Sequence, residues 1–561
     1  MSRKNKHFIY LLSLLLLTAC ANWNVDDLAT QEISPALFST DLAQSTSENA
    51  TVTATPFQPM DDPIALFFSN AIPMEWVRLN TETPITDEID EADLIFSTSA
   101  PTDGQIIGAS FQRIYTIVAP FDTVIDGIRI QDLQTVWQGD ITNEGFSSLV
   151  MDDQTYKTLR EIWGSGSSQF VTIVPKDEII SQVWKNDGTW AIIPFEEIEP
   201  RYKVIRVNGI SPFDRPMDVE NYPLTVKYWI YGDPTAMQQS TTQIYQLVNQ
   251  IPFTNRDETK MTVVIMTGTT ALARVALWKI DHNSLDYPIE KVKDWFLSAD
   301  LRHVSNEVSF NADCDYDDPY TMQFCSKPEH IKVLEGIGIN VVESTGNHML
   351  DYGVEAFEKT LSMYEERGWL SYGGGFNAEQ AKQPATTEIN GNKIAFIGCN
   401  STEAGPSSVW ATETKAGAAK CDYDWFYQKI SELKSQGYVV IATYQETEID
   451  LHMYDEHYRT PFKAAALAGA DIVQGSQAHM AMGFEFVDGH LIHYGLGNFL
   501  FDQVQENYIQ EFYDRHIIYD GKYMGTELLT ATLTDASRPV PMTEDERSSF
   551  LQEIFDASDM R

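Results

Sequence analysis

Long hydrophobic runs are almost missing from this sequence. One exists, from Phe8 to Leu17. About ten apolar residues are too few to span a bilayer, so a multi-pass membrane protein is excluded. Positive charge is scarce as well: 39 Lys and Arg stand against 81 Asp and Glu, a formal net charge of −42. So acidic a surface repels polyanions, which excludes a nucleic-acid binder that works by neutralising phosphates. Cysteine is limited to five residues and no Cys-x-x-Cys spacing occurs, which argues against a thiolate zinc site. No internal repeat relates the two halves of the chain. Apolar and aromatic residues are plentiful in short runs: 43% of positions are hydrophobic, with 12 Trp, 25 Tyr and 28 Phe. That is material for real cores and excludes a disordered chain.

The one apolar run has a context. Arg3, Lys4 and Lys6 precede it and Leu17-Thr18-Ala19-Cys20 closes it, the layout of a secretory signal peptide over 1–20. Small residues directly before Cys20 read as a bacterial lipobox, rather than an ordinary signal peptide with an incidental cysteine. Cys20 is then the lipidated mature N-terminus and the membrane is its first partner. The location is extracytoplasmic and lipid-anchored. Four cysteines remain, Cys314, Cys325, Cys399 and Cys421, an even number in an oxidising compartment with three connectivities open. Local pairing, Cys314 with Cys325 and Cys399 with Cys421, is the favoured one. Four buried free thiols are the alternative.

Composition divides the chain further. Residues 21–60, rich in Ser, Thr, Ala, Gln and Asp, read as a flexible tether. Over 61–235 short apolar runs such as Ala92–Phe96, Tyr115–Ala119 and Trp190–Ile193 alternate with helical patterns such as Asp132–Trp137, the rhythm of an α/β domain. A connecting helix is expected over 236–254. Residues 255–561 repeat the α/β rhythm, with strands at Met261–Met266, Lys393–Ile397, Tyr438–Thr443, Asp471–Val473 and Leu491–Tyr494. Val354, Phe357, Leu361 and Tyr364 recur at helical spacing. Asp488-Gly489 and Asp520-Gly521 signal hairpins. Thr543 and Glu546 make a capping box for a last helix that carries Phe550, Leu551, Ile554 and Phe555 on one side.

Polar residues gather where these strands end. Thr269, Glu307, Asn347, His348, Tyr444, Gln477 and His479 each follow an apolar run at a strand-to-loop junction. The carboxyl ends of strands are where open α/β sheets bind ligands. Asn, His and Glu converging there suit a divalent metal. Each alone is an ordinary hydrogen-bonding loop residue.

The order of these blocks resembles a known family. Gly346-Asn347-His348 through Asp351-Tyr352-Gly353 resembles the Asn-Asn-His-x-x-Asp-x-Gly block of CapA-type proteins. Those proteins are associated with poly-γ-glutamate capsule synthesis and have a calcineurin-like metallophosphatase fold. Tyr372-Gly373-Gly374-Gly375 is similar to the family's Gly-rich turn. Gly475 through His479 is similar to its Gly-His-His-Pro-His segment, and Gly495-Leu496-Gly497-Asn498-Phe499 to its Ser-Leu-Gly-Asn-Phe hallmark. The resemblance runs from about Met261 to Gln503. It implies an α/β sandwich with metal ligands Glu307, Asn347, His348 and His479. It also marks three departures: Thr269 where the family has Asp, Tyr444 where it has His, and Gln477 where it has His. Losing one anionic and two imidazole ligands implies a divalent ion (Mn, Fe or Zn) that is weakly bound or absent. If the site is catalytic, the metal polarises an ester or amide oxygen and His348 protonates the leaving group.

The first domain resembles phosphate-type periplasmic solute-binding proteins, on Tyr115–Pro120, Asp132–Asp140 and Trp190–Phe195, in reduced form. Gly164–Ser168 is either an anion-holding turn there or a plain loop. The combined expectation is an extracytoplasmic CapA-type lipoprotein of capsule, exopolymer or envelope metabolism. The rival is a non-catalytic binder of an anionic small molecule or polymer. The charge of −42 weighs against a highly acidic polymer ligand unless some cleft is locally basic.

Overall fold

The structure, a computed structural model, describes residues 65–73, 84–102, 105–140, 145–232, 234, 252–315, 318, 320–402 and 408–560. Cys20, the expected signal peptide and tether, and most of the expected 236–254 connection lie outside the described residues. No helix among the described residues is long and apolar enough to cross a membrane.

The first region is one mixed sheet of nine strands: β1 (Leu66–Phe68), β2 (Leu94–Ser97), β3 (Ile106–Pro120), β4 (Gly127–Ile128), β5 (Ser148–Met151), β6 (Val171–Ile173), β7 (Thr189–Pro194), β8 (Tyr202–Val207) and β9 (Thr225–Gly232). The order is β1-β2-β9-β3-β7-β5-β6, with β8 also on β3 and β4 on β8. Helix α1 (Ile130–Gln138) buries Leu133, Val136 and Trp137, spaced to share one face. Helices α2 (Asp153–Trp163) and α3 (Ile179–Lys185) follow. The Gly164–Ser168 turn packs on Trp137: Trp137 Nε1 donates to Gly164 O at 3.1 Å and Ser167 N to Trp137 O at 2.8 Å.

The second region is an α/β sandwich of two large sheets. Its strands are β10 (Met261–Thr267), β11 (Thr269–Thr270), β12 (Leu301–Asn306), β13 (Val341–Glu343), β14 (Leu370–Tyr372), β15 (Gly374–Gly375), β16 (Ala385–Ile389), β17 (Asn392–Asn400), β18 (Gly417–Ala418), β19 (Val439–Gln445), β20 (Ile472–Gly475), β21 (Phe484–Val487), β22 (His490–His493), β23 (Asn498–Leu500), β24 (Gln510–Tyr519), β25 (Lys522–Thr534) and β26 (Arg538–Pro541). One sheet runs β14-β13-β12-β10-β24-β25-β26, with β11 joining β12 to β23. The other runs β16-β17-β19-β20-β22-β21. Strands β10, β12, β13 and β14 are parallel, as are β17, β19, β20 and β22. Their carboxyl ends therefore gather at one edge of each sheet. Helices α4 (Arg274–His282), α5 (Lys293–Leu297), α6 (Ile331–Gly336), α7 (Val354–Glu366), α8 (Ala378–Ala381), α9 (Tyr423–Ser435), α10 (Glu456–Leu467) and α11 (Glu544–Ala557) complete it. Both expected hairpins close through left-handed residues, Asp488 and Gly489 at φ 52° and 83°, Asp520 and Gly521 at 49° and 79°. The Thr543–Glu546 capping box starts α11, whose buried residues are Phe550, Leu551, Ile554 and Phe555.

The described residues belong to one compact unit. Phe121, just after β3, packs edge-on against Phe484 and Phe486 at 5.3 Å and against Phe555 at 6.4 Å. Arg215 reaches Asp300 at 2.6 Å, and Phe195 meets Tyr519 at 5.0 Å.

Facing residues of the two large sheets place a polar layer inside an apolar one. Asp514 on β24, fully buried, accepts from His493 Nδ1 at 2.6 Å and Gln474 Nε2 at 2.9 Å. His516 Nδ1 lies 2.7 Å from Thr526 Oγ1, and its Nε2 accepts from Gln474 at 3.3 Å. That tautomer is neutral. Burial, helped by the neighbouring His493 and His303 and opposed by Asp514, pulls the His516 pKa down to about 4. The unfolded chain takes up this proton below pH ~6.5 while the folded chain refuses it until about pH 4. Stability is thus full above pH ~6.5 and falls by about 3 kcal/mol as the pH drops towards 4. Urea unfolding at pH 7.5 and 4.5 is expected to show this loss, and His516→Gln to remove most of it. An unchanged pH dependence in the variant would assign the loss elsewhere.

Candidate functional site

The strand ends of the two sheets meet, and short polar side chains stitch them together. Gly268 permits the approach: a Cβ there would sit 1.8 Å from Gly497 O. Next to it, Thr269 Oγ1 donates to Ser476 O at 3.0 Å, joining β11 to the turn after β20. Gly346 has the same role after β13, because a Cβ would lie 2.6 Å from the Glu307 Cα. This brings Asn347 and His348 alongside Glu307.

Glu307 is buried. Its Oε1 is 3.4 Å from Gln445 Nε2, and its Oε2 has no hydrogen-bond partner. Gln445 Nε2 also reaches Asn347 Oδ1 at 3.3 Å, and Gln445 Oε1 accepts from Ser476 Oγ at 3.2 Å. The same Ser476 hydroxyl lies 2.8 Å from Glu343 Oε1, which accepts from Thr345 Oγ1 at 2.6 Å. Burial alone would push the Glu343 carboxyl up. His303, Thr345 and Ser476 outweigh it and leave the group below the ordinary carboxylate value.

His348 Nδ1 lies 2.7 Å from Asp351 Oδ2 and its ring packs at 4.2 Å on Phe324. Burial disfavours the charged ring, but the Asp351 hydrogen bond and the Glu307 and Asp351 charges outweigh it and raise its pKa. His479 Nδ1 donates to Asn498 Oδ1 at 2.7 Å, and its ring stands 4.8 Å from Phe501. Phe324 and Phe501 are 5.7 Å apart, with the Arg274 guanidinium 4.5 Å and 5.3 Å from their centres. Arg274 is held by Asp502. The Cys314–Cys325 disulfide ends the loop that carries Phe324, and Cys399–Cys421 ties β17 to the start of α9. Both are the pairs that spacing suggests.

Of the sequence-derived positions, Thr269, Glu307 and Asn347 enter this hydrogen-bonded cluster, and His348 reaches it through the Glu307 charge. Gln477 is buried with its Oε1 unpartnered. Tyr444 does not enter. Consecutive strand residues face opposite sides, so Tyr444 points into the helix layer, with its hydroxyl on Pro461 O at 3.2 Å and its ring 4.8 Å from Phe462. Gln445 carries the polar group inward instead. Sequence reasoning passed over Gln445, Ser476 and Glu343. The signal for Glu343 was a carboxylate directly after the apolar Val341-Val342.

The donor set does not fit a two-metal hydrolase. Glu307 Oε2 is the one orphaned carboxylate oxygen of the cluster, and the hydrogen-bond partner of its Oε1 is the neutral amide of Gln445, which also holds Asn347. Among the described residues no three His, Cys, Asp or Glu side chains converge as a metal would need.

Residues 263–503 match the family model described as bacterial capsule synthesis protein PGA_cap. The PGA biosynthesis protein CapA of Bacillus subtilis (strain 168) is 32% identical over 177 residues, 31% of this chain and 46% of that protein. The capsule biosynthesis protein CapA of Bacillus anthracis is 26% identical over 262 residues, 45% of this chain and 62% of that protein. The chain thus covers less than two thirds of either relative's length. Among solved structures, a 5'-nucleotidase precursor from Thermus thermophilus aligns over 52% of this chain and 58% of its own, at 10% identity and a TM-score of 0.32. An ABC-type phosphate transport receptor from Vibrio cholerae aligns over 33% of this chain and 93% of its own, at 13% identity and a TM-score of 0.28.

Proposed function

We propose that this chain, whose residues 263–503 are of the CapA type, is a lipid-anchored extracytoplasmic protein of capsule or exopolymer synthesis, or of envelope metabolism. We further propose that its metallophosphatase-like centre has lost metal chemistry. The observation that carries the second part is that Glu307 meets the neutral amide of Gln445, which also holds Asn347, while Thr269 is spent on the Ser476 carbonyl. Neutral amides hold divalent ions far less well than carboxylate or imidazole. Protein purified without chelator is expected to contain less than about one equivalent of Mn, Fe or Zn and to leave a generic phosphodiester intact. Two metals per chain, or turnover, would sink this reading.

The two unpartnered buried acceptors, Glu307 Oε2 and Gln477 Oε1, favour a second reading, a non-catalytic binder of an envelope polymer that offers hydroxyl or amide N–H donors to them. A ligand-induced thermal shift without turnover separates it from an enzyme. Anchoring rests on Leu17-Thr18-Ala19-Cys20. Cys20→Ala is expected to move the protein from the membrane to the soluble extracytoplasmic fraction. Persistent membrane association would contradict lipidation.

A further inference from the structure

A chain with a net charge of −42 nevertheless gathers five cations around one cleft of about 570 Å³. Lys203 and Arg206 come from β8, Arg215 from the loop after it, Arg515 from β24 and Arg547 from α11. None belongs to the strand-end cluster.

Their carboxylate partners fall short in number, although backbone carbonyls also accept from Lys203 (Thr123 O at 2.6 Å, Val124 O at 3.1 Å), Arg206 (Gly209 O) and Arg215 (Met261 O). Asp126 serves both Lys203, at 2.7 Å, and Arg547, at 2.9 Å, and is itself half exposed. Glu527 is shared between Arg515 and, at 3.7 Å, Arg206, which also pairs with Asp214. Arg215 takes Asp300 at 2.6 Å. Four carboxylates therefore face five cations. Arg547 shows the surplus directly: Nη2 donates to Asp126 and to Leu528 O at 2.9 Å, while the buried Nη1 has no partner. Burial lowers the pKa of both Lys203, to about 8, and Arg547, with Asp126 opposing in each case. The Arg547 charge also lowers the Lys203 pKa, and an anion beside the two would relieve this. Apart from the charged residues and the hydroxyls of Ser298 and Thr526, the walls are apolar, with Phe121, Val204, Trp295 and Leu528 among them.

We propose that this cleft is a binding site for an organic carboxylate, its charged groups facing the Arg547 guanidinium and the neighbouring cations and its carbon skeleton against Trp295 and Leu528. The planar guanidinium fork suits carboxylate and phosphate alike. The apolar walls select an organic anion over a free inorganic one, since a fully hydrated ion gains nothing from them. A locally basic cleft is also the feature that admits an acidic ligand to so acidic a protein.

Calorimetric titration of the full chain with citrate, at ionic strength matched by sodium chloride, is expected to show saturable binding. Arg547→Gln should weaken it about tenfold or more, through loss of a charge-assisted contact. Asp126→Asn should tighten it several-fold, because the internal anion that competes for Lys203 and Arg547 is removed. The second variant decides the matter even where the first folds poorly, since a purely structural ion cluster would not gain affinity for anything. No saturable citrate binding, or citrate affinity unmoved by Asp126→Asn, overturns the site. Inorganic phosphate bound as tightly as citrate overturns the organic class.

Discussion

Replacing Thr269 by Asp, Gln445 by His and Gln477 by His together is expected to raise bound divalent metal from below one equivalent to about one per chain. The three changes lie at strand-to-loop junctions, as Glu307, Asn347, His348 and His479 do. They restore one anionic and two imidazole donors where hydroxyl and amide groups now stand. Without metal the variant should be less stable than the native chain, because the new carboxylate faces the Ser476 carbonyl to which Thr269 Oγ1 now donates. Added Mn or Zn should recover that loss as a thermal shift. The informative control is the same triple with Tyr444→His in place of Gln445→His. Tyr444 sits 5.2 Å from Phe426 and 4.8 Å from Phe462 in the helix layer. That triple should lose stability and gain less metal. A well-folded first triple with no metal gain would count against the strand-end assignment.

Phe121→Ala is expected to cost about 3–5 kcal/mol of unfolding free energy, the range for truncating a large buried aromatic ring. Phe121 is 2% exposed and inserts from the first region between Phe484, Phe486 and Phe555 of the second. The first region's immediate contacts with β21 and α11 would face a void. Denaturant unfolding followed by tryptophan fluorescence measures the loss. A cost below about 1 kcal/mol would mean that the surrounding rings collapse onto the gap. Because the cavity opens between the two regions, the variant should also broaden or split the transition if each region folds by itself, as expected for 61–235 and 255–561.

Much of the fold was legible because local rules are strong where they apply. Asp-Gly pairs demand left-handed backbone and so mark the hairpins at 488–489 and 520–521. Helical spacing of Val354, Phe357, Leu361 and Tyr364 has one amphipathic solution, and α7 occupies it. Close cysteine spacing across loops led to both disulfides. The residues of the hydrogen-bonded strand-end cluster were legible to within one position at β19. Polar residues after β12, β13 and β20 could be read from the end of an apolar run. The end of β19 could not, since a shift of one position turns Tyr444 outward and Gln445 inward.

The sequence by itself determined the composition-level facts, an acidic, aromatic-rich α/β protein, and the strands at whose ends the polar residues stand. Tertiary structure alone decided which of those residues meet. Gln445 reaches Glu307 across two sheets that share no local signal, and Ser476 joins Glu343 to Thr269 through contacts set by sheet packing. The basic cleft is the extreme case: Lys203 and Arg206 share β8, but Arg515 and Arg547 stand more than 300 residues further on and none of them carries a motif. Their charges add only because β8, β24 and α11 are packed side by side, and Coulomb interactions depend on distance in space, not along the chain.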